Sequence, residues 1–138
     1  MIVLDTNVIS ALIRSKPDEL IVRWLDSQPA DLIWTTAITV FEVRFGLATM
    51  PLGHRREALI EAFSLAMQQM GNRVLVFDEH SAEESASISA KLRSLGRPIE
   101  MRDVMIAGAV RSRNATLATR NIRHFADASI QIVDPWSG

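Results

Sequence analysis

The chain has 138 residues, 48% of them hydrophobic and 22% charged, which suits one folded domain over 1–138 and excludes a disordered chain. Its 15 Lys and Arg against 16 Asp and Glu leave a net charge of −1, so the surface as a whole is not a polycation built to grip nucleic acid. The absence of cysteine excludes disulfides, thiolate catalysis and cysteine-held metals, so any metal must use oxygen or imidazole ligands.

Ile2-Val3-Leu4 is a short apolar run that predicts a buried strand. Val8, Ile9, Leu12 and Ile13 follow at helical spacing, and Leu20, Ile21, Trp24 and Leu25 continue it after Pro17. Leu32-Ile33-Trp34 predicts a second strand, with Thr35 or Thr36 placed to cap the helix begun by Ile38, Phe41, Val43 and Phe45. Leu59, Ile60, Phe63, Met67 and Met70 form a long core stripe that Gly71 ends. Val74 to Phe77 predicts a third strand; Asp78 or Ser81 then opens a helix that stops at Gly96. Ile106, Ala107 and Val110 mark a further helix, and Thr116 to Ala118 and Ile130 to Val133 the last two strands. This alternation predicts an α/β fold, an α/β/α sandwich around a parallel sheet of four to five strands. No basic region precedes the first apolar run and Asp5 interrupts it, so it does not read as a signal peptide. No apolar stretch approaches the ~18 residues of a membrane span. A cytoplasmic protein with no membrane partner is the expectation.

The carboxylates fall where such a sheet binds ligands, beyond the carboxyl ends of its strands. Asp5 follows the first strand, and Thr119 and Asn121 follow the fourth. Glu42 and Asp103 sit early in helices whose N-termini face the same edge, so Asp5, Glu42 and Asp103 can converge. Each has a structural alternative. Asp5 can cap a helix, and Asp103 can serve the helix dipole. Glu42 can be a solvated acid, although its apolar neighbours Phe41, Val43 and Phe45 leave it few directions toward water. Asp78 and Asp134 read as a cap and a turn residue. Three carboxylates in one pocket repel each other, and a hard divalent cation relieves that repulsion. The pattern therefore points to metal-dependent phosphodiester hydrolysis.

Two other α/β functions are disfavoured. No glycine-rich turn follows the first strand, as a dinucleotide site needs. The two lysines, Lys16 and Lys91, are not behind a late strand, where a phosphoacceptor receiver needs one.

The motifs together resemble the PIN-domain ribonucleases, and within them the VapC/FitB-type toxins of bacterial toxin–antitoxin pairs. Leu4-Asp5-Thr6-Asn7-Val8 resembles the opening motif, and Thr36 to Glu42 the second, which ends in glutamate. Asp103-Val104-Met105-Ile106-Ala107 resembles the third, and Ala118-Thr119-Arg120-Asn121 with Phe125 the fourth; the likeness extends to the Pro135-Trp136 ending. The resemblance implies a Mg2+ or Mn2+ site carried by Asp5, Glu42 and Asp103, with Asp5 and Asp103 as direct ligands. It implies that Thr6 and Asn7 shape the site under Asp5, and that Thr119 holds a water or an acid. It also implies an RNA substrate such as transfer RNA and a homodimer. The partner is expected to be a VapB/FitA-like antitoxin that inserts a basic side chain into the acidic pocket and alone contacts operator DNA. Asn121 departs from the family, many of whose members carry an acid there. The rival reading is a catalytically silent module of this fold that binds an antitoxin and nucleic acid.

Only two of the 15 basic residues are lysines, so arginine, the better fork for phosphate, dominates. Arg102, Arg120 and Arg123 flank proposed site residues and are the expected phosphate clamps. Arg55, Arg56, Arg97, Arg111 and Arg113 read as solvated faces. His54, His80 and His124 show no metal-ligand spacing, and His124 reads as a surface residue. Gly46, one turn after Glu42, permits close backbone approach. Setting Asp5, Glu42 and Asp103 aside leaves 15 basic residues against 13 acids, a mildly basic body around an acidic pocket.

Overall fold

Apolar runs of three or four residues are too short for helices, and the amphipathic helices between them return the chain to the same sheet edge, which makes the strands parallel. In the computed structural model, which describes residues 1–137, the elements run β1 (Ile2–Leu4), α1 (Thr6–Ile13), α2 (Glu19–Asp26), β2 (Ile33–Thr36), α3 (Ala37–Ala48), α4 (His54–Met70), β3 (Val74–Leu75), α5 (Glu79–Ser94), α6 (Met101–Ser112), β4 (Thr116–Ala118), α7 (Ile122–Phe125) and β5 (Gln131–Val133). The described residues form a five-stranded, all-parallel sheet in the order β3-β2-β1-β4-β5. This is the expected α/β/α arrangement. The order reverses at β1, and the crevice at such a reversal is where an open α/β sheet binds ligands.

Side chains alternate across the sheet and build a core on each face. Leu4, Ile33 and Ala118 pack with Val8, Ile9, Phe63 and Met70 on the side covered by α1 to α4. Val3, Leu75 and Leu117 pack with Ile88, Leu92, Val104 and Val110 on the side covered by α5 and α6. The register pairs Ile2 with Ile33 and Thr116, and Leu4 with Ala118, so the ends of β1 and β4 lie side by side.

Local chemistry sets the boundaries. Thr36 caps α3, its hydroxyl accepting from the Thr39 N–H at 3.0 Å, while Thr35 is a strand residue whose hydroxyl donates to the Leu4 carbonyl at 2.9 Å. Asp78 caps α5 through the Ser81 N–H at 2.9 Å. Gly71 ends α4 at φ +62°, a conformation that favours glycine. Gly108 serves differently. A Cβ there would stand 1.8 Å from Ser85 Oγ and 2.8 Å from the Ser81 carbonyl oxygen and the Ser85 nitrogen, so only glycine lets α6 lie this close to α5.

Three expectations are corrected. The third strand stops at Leu75, and Val76 is 59% exposed beyond the sheet edge. Phe41 and Phe45 do not bury Glu42: they stack on each other on the outer face of α3, more than half exposed, while Val43 alone of the three turns inward. At Gly46 a Cβ would meet nothing within 4 Å, so no close approach requires glycine there.

Candidate active site

The sheet delivers Asp5 to the switch point, and backbone bonds hold it there. Its N–H donates to the Ala118 carbonyl at 2.9 Å, extending the β1–β4 ladder by one step. Asp5 is 3% exposed and serves as both cap and site residue. One carboxylate oxygen accepts from the Thr6 N–H at 2.8 Å, and the other from the Thr119 hydroxyl at 2.7 Å. Thr119 in turn accepts from the Asn7 side-chain amide at 3.1 Å and the Asn121 N–H at 3.0 Å. Its one proton and both lone pairs are thereby used.

Glu42 and Asp103 line the same cavity as Asp5, a space of about 490 Å³ that Thr6, Asn7, Arg120 and Asn121 also line. Glu42 accepts from the Thr6 hydroxyl at 2.9 Å, and its other oxygen stands 3.9 Å from the Arg102 guanidinium. One Asp103 oxygen meets His124 Nε2 at 2.8 Å. Asn121 precedes α7 without a side-chain cap bond. Burial pushes the Asp5 carboxyl up to about 6 against the opposing hydrogen bonds from Thr119 and Thr6, and the charges of Asp103 and Glu42 push the same way. A carboxylate that is hard to ionise because of burial and like charge is what a divalent cation relieves.

The donor set suits a hard cation: three carboxylates and an amide oxygen, all offering oxygen. Among the described residues, no three His, Cys, Asp or Glu side chains are gathered closely enough to form a finished metal-binding group. One Asp103 oxygen is paired with His124, and one Glu42 oxygen stands 3.9 Å from Arg102. The residues fit the group in donor type and line one cavity, and Asp103 keeps its second oxygen free of His124.

The expected clamps separate. Arg120 lines the cavity, whereas Arg123 lies on the exposed α7 outside its lining. Arg102 is engaged by Glu100 at 3.0 Å as well as by Glu42. Several arginines read as solvated faces are in ion pairs: Arg97 with Asp127, Arg111 with Glu84 and Arg113 with Asp78. Sequence reasoning missed His124 as a partner of Asp103; its place three residues after Asn121 was the available signal. It also missed Asp18 and Trp136, which line the cavity mouth.

A groove of about 940 Å³ adjoins the cavity between α1, α3 and α4 and shares Thr6, Ser10, Arg14 and Glu42 with it. Ile13, Val43, Leu47 and Leu59 make its floor apolar.

Comparison with known proteins identifies the family. The PIN-domain family pattern matches residues 2–130. The chain is 37% identical to the VapC ribonuclease Y4jK of Sinorhizobium fredii, over 99% of this chain and 98% of that protein. It is 31% identical to the tRNA(fMet)-specific endonuclease VapC of Shigella flexneri, over 97% and 96% of the two chains. A solved structure of FitAB bound to an IR36 DNA fragment superimposes with a TM-score of 0.89 at 36% identity, covering 99% of this chain and 96% of that one. The chain belongs to the PIN-domain family.

Proposed function

We propose that this chain is a metal-dependent endoribonuclease, the toxin of a toxin–antitoxin pair, which acts in the cytoplasm and hydrolyses phosphodiester bonds of RNA, transfer RNA among the candidates. The observation that carries the reading is the gathering of Asp5, Glu42, Asp103 and Asn121 around one cavity at the switch point of the sheet. The names of the VapC relatives support the ribonuclease activity and the structured substrate.

Asp5 and Asp103 would hold Mg2+ or Mn2+ directly, with Glu42 the third acid. The chemistry the cation supplies there is Lewis acidity, which makes water nucleophilic at neutral pH and offsets charge on the attacked phosphate. Thr119 fixes the orientation of Asp5 through its hydroxyl, and Asn7 fixes Thr119. Thr6 orients Glu42 and supplies the N–H that steadies Asp5. Arg120, with Arg123 further out, takes the RNA backbone, and Arg102 balances the charge of Glu42. Asn121 would turn a water or a phosphate oxygen by its amide and brings no charge, so the site would hold one cation firmly and a second only with substrate.

The apolar groove beside the cavity supports a VapB/FitA-like antitoxin as partner. A segment lying there has Glu42 within reach of a basic side chain, because Glu42 lines both spaces. Operator DNA would be contacted through the antitoxin; the similar FitAB is bound to an IR36 DNA fragment. The exposed Phe41–Phe45 stack supports a homodimer. No helix among the described residues is long and apolar enough to cross a membrane.

The test is cleavage of a structured RNA by the purified chain. Cutting is expected with Mg2+ or Mn2+, to stop with EDTA, and to fall on the order of 100-fold or more in Asp103→Asn with folding intact. Equal cutting by the wild type and the variant would assign the activity to a contaminant and leave the silent module as the reading.

A further inference from the structure

Among the described residues, one arginine that lines the acid cavity has a charge no carboxylate takes. Arg102 is engaged by Glu100 and Glu42, and Arg14 by Asp18 at 3.1 Å. Arg120 lines the same cavity and, among the described residues, has no carboxylate within 4.0 Å. Its guanidinium carbon instead lies 4.1 Å from the centre of the Trp136 ring. In a cavity rich in acids an unrestrained guanidinium would fold onto a carboxylate. This one is kept on an aromatic face.

Trp136 is itself fixed. Its indole Nε1–H donates to an Asp18 oxygen at 2.9 Å, and its backbone N–H donates to Asp134 at 2.9 Å. Asp18 caps α2 by accepting from the Leu20 N–H at 3.0 Å, and Pro135 beside Trp136 is buried. The stretch after β5 is thus strapped onto the start of α2, and its indole forms a shelf under Arg120. From the other side the Arg120 backbone N–H donates to the Asn7 side-chain oxygen at 3.3 Å. Stacking occupies the face of a guanidinium and leaves its in-plane N–H edges free, and those edges are what a phosphate takes in a bidentate pair. It also restricts, before RNA arrives, a side chain that otherwise has wide rotamer freedom.

We propose that Trp136, anchored by Asp18, is a positioning residue that holds Arg120 at the cavity mouth, off the acids and edge-on to an RNA phosphate. The proposal rests on the endoribonuclease reading and adds to it a residue that acts through Arg120.

The experiment measures binding of a fluorescein-labelled RNA stem-loop by the full chain at several salt concentrations, in an Asp103→Asn parent that blocks cutting. Arg120→Ala is expected to weaken binding roughly fivefold to tenfold and to flatten the salt dependence by ~0.7–0.9, one phosphate's worth. Trp136→Ala is expected to reproduce most of both changes, and the double variant to lose less than about twofold beyond Arg120→Ala alone. Trp136→Phe, which keeps an aromatic face, is expected to recover binding to within about threefold of the parent. If Trp136→Ala does not fold, Trp136→Leu replaces it, with bulk but no ring. Independent, multiplying losses with an unchanged salt slope in the Trp136 variant would overturn the positioning role while leaving the nuclease reading intact. No RNA binding by the parent at any salt would overturn both.

Discussion

Asp5→Asn is expected to lower RNA cleavage on the order of 1,000-fold while raising the melting temperature of the metal-free protein at pH 7 by roughly 6 °C. The two effects have one cause. Burial and the charges of Asp103 and Glu42 raise the Asp5 carboxyl from 3.8 to about 6, so at pH 7 the folded metal-free protein carries an ionised group that it disfavours. That corresponds to about 3 kcal/mol, recovered when the charge is removed. Asparagine keeps an oxygen for the Thr6 N–H but turns an N–H toward Thr119, whose hydroxyl oxygen already accepts two bonds. This costs about 1 kcal/mol and leaves a net gain near 2 kcal/mol. The pH dependence has a definite sign. A carboxyl whose folded value lies above its unfolded one contributes stability that is present below about 4 and lost as pH rises through about 6. Metal-free wild type is therefore expected to melt higher at pH 5 than at pH 7, and Asp5→Asn to lack this contribution. Thermal unfolding in EDTA at the two pH values measures both, and a wild-type midpoint that falls toward pH 5 would contradict the assignment.

Gly108→Ala is expected to destabilise the fold by about 2 kcal/mol or more, and Gly108→Val to prevent folding. Helix propensity alone favours alanine over glycine by about 1 kcal/mol, so the steric cost must exceed that gain. The geometry indicates that it does. The new methyl would lie 1.8 Å from Ser85 Oγ, which can rotate away, but also 2.8 Å from two backbone atoms of α5, which cannot. Relief requires α5 and α6 to separate, and α6 carries Asp103. Loss of activity should therefore accompany loss of stability. Ser85→Gly should restore only part of either, because the backbone contacts remain. Urea unfolding and cleavage of the same variants measure this, and an alanine variant more stable than wild type would refute the close approach.

Much of the fold was legible because its signals are local. Three-residue apolar runs such as Ile2-Val3-Leu4, the caps Thr36 and Asp78, and the stop at Gly71 each act within a few residues. The acids of the site were legible because a parallel sheet sends strand ends and helix starts to one edge. What escaped depends on tertiary geometry. Asn7 meets Thr119 across 112 residues, and Trp136 meets Asp18 across 118. His124 reaches Asp103 only because α7 folds back beside the start of α6. The exposure of Phe41 and Phe45 contradicts the ordinary rule that aromatic residues turn inward, and an unpaired apolar face has no one-chain signature. The pairing of Arg102 with Glu100, only two residues away, was by contrast within reach of the sequence.

If the carboxylates of Asp5, Glu42 and Asp103 act together as one divalent-cation site, as proposed, that cation must stabilise the folded protein. Thermal unfolding of metal-free protein against rising Mn2+ tests it most directly, because a ligand bound only by the folded state raises stability by mass action, ~2.7 kcal/mol at a concentration 100 times Kd. The wild-type midpoint is expected to climb as a single tight site fills, and Asp5→Asn and Asp103→Asn to lose most of that climb. A wild-type midpoint indifferent to Mn2+, or the same climb in both variants, would show that these carboxylates hold no cation together.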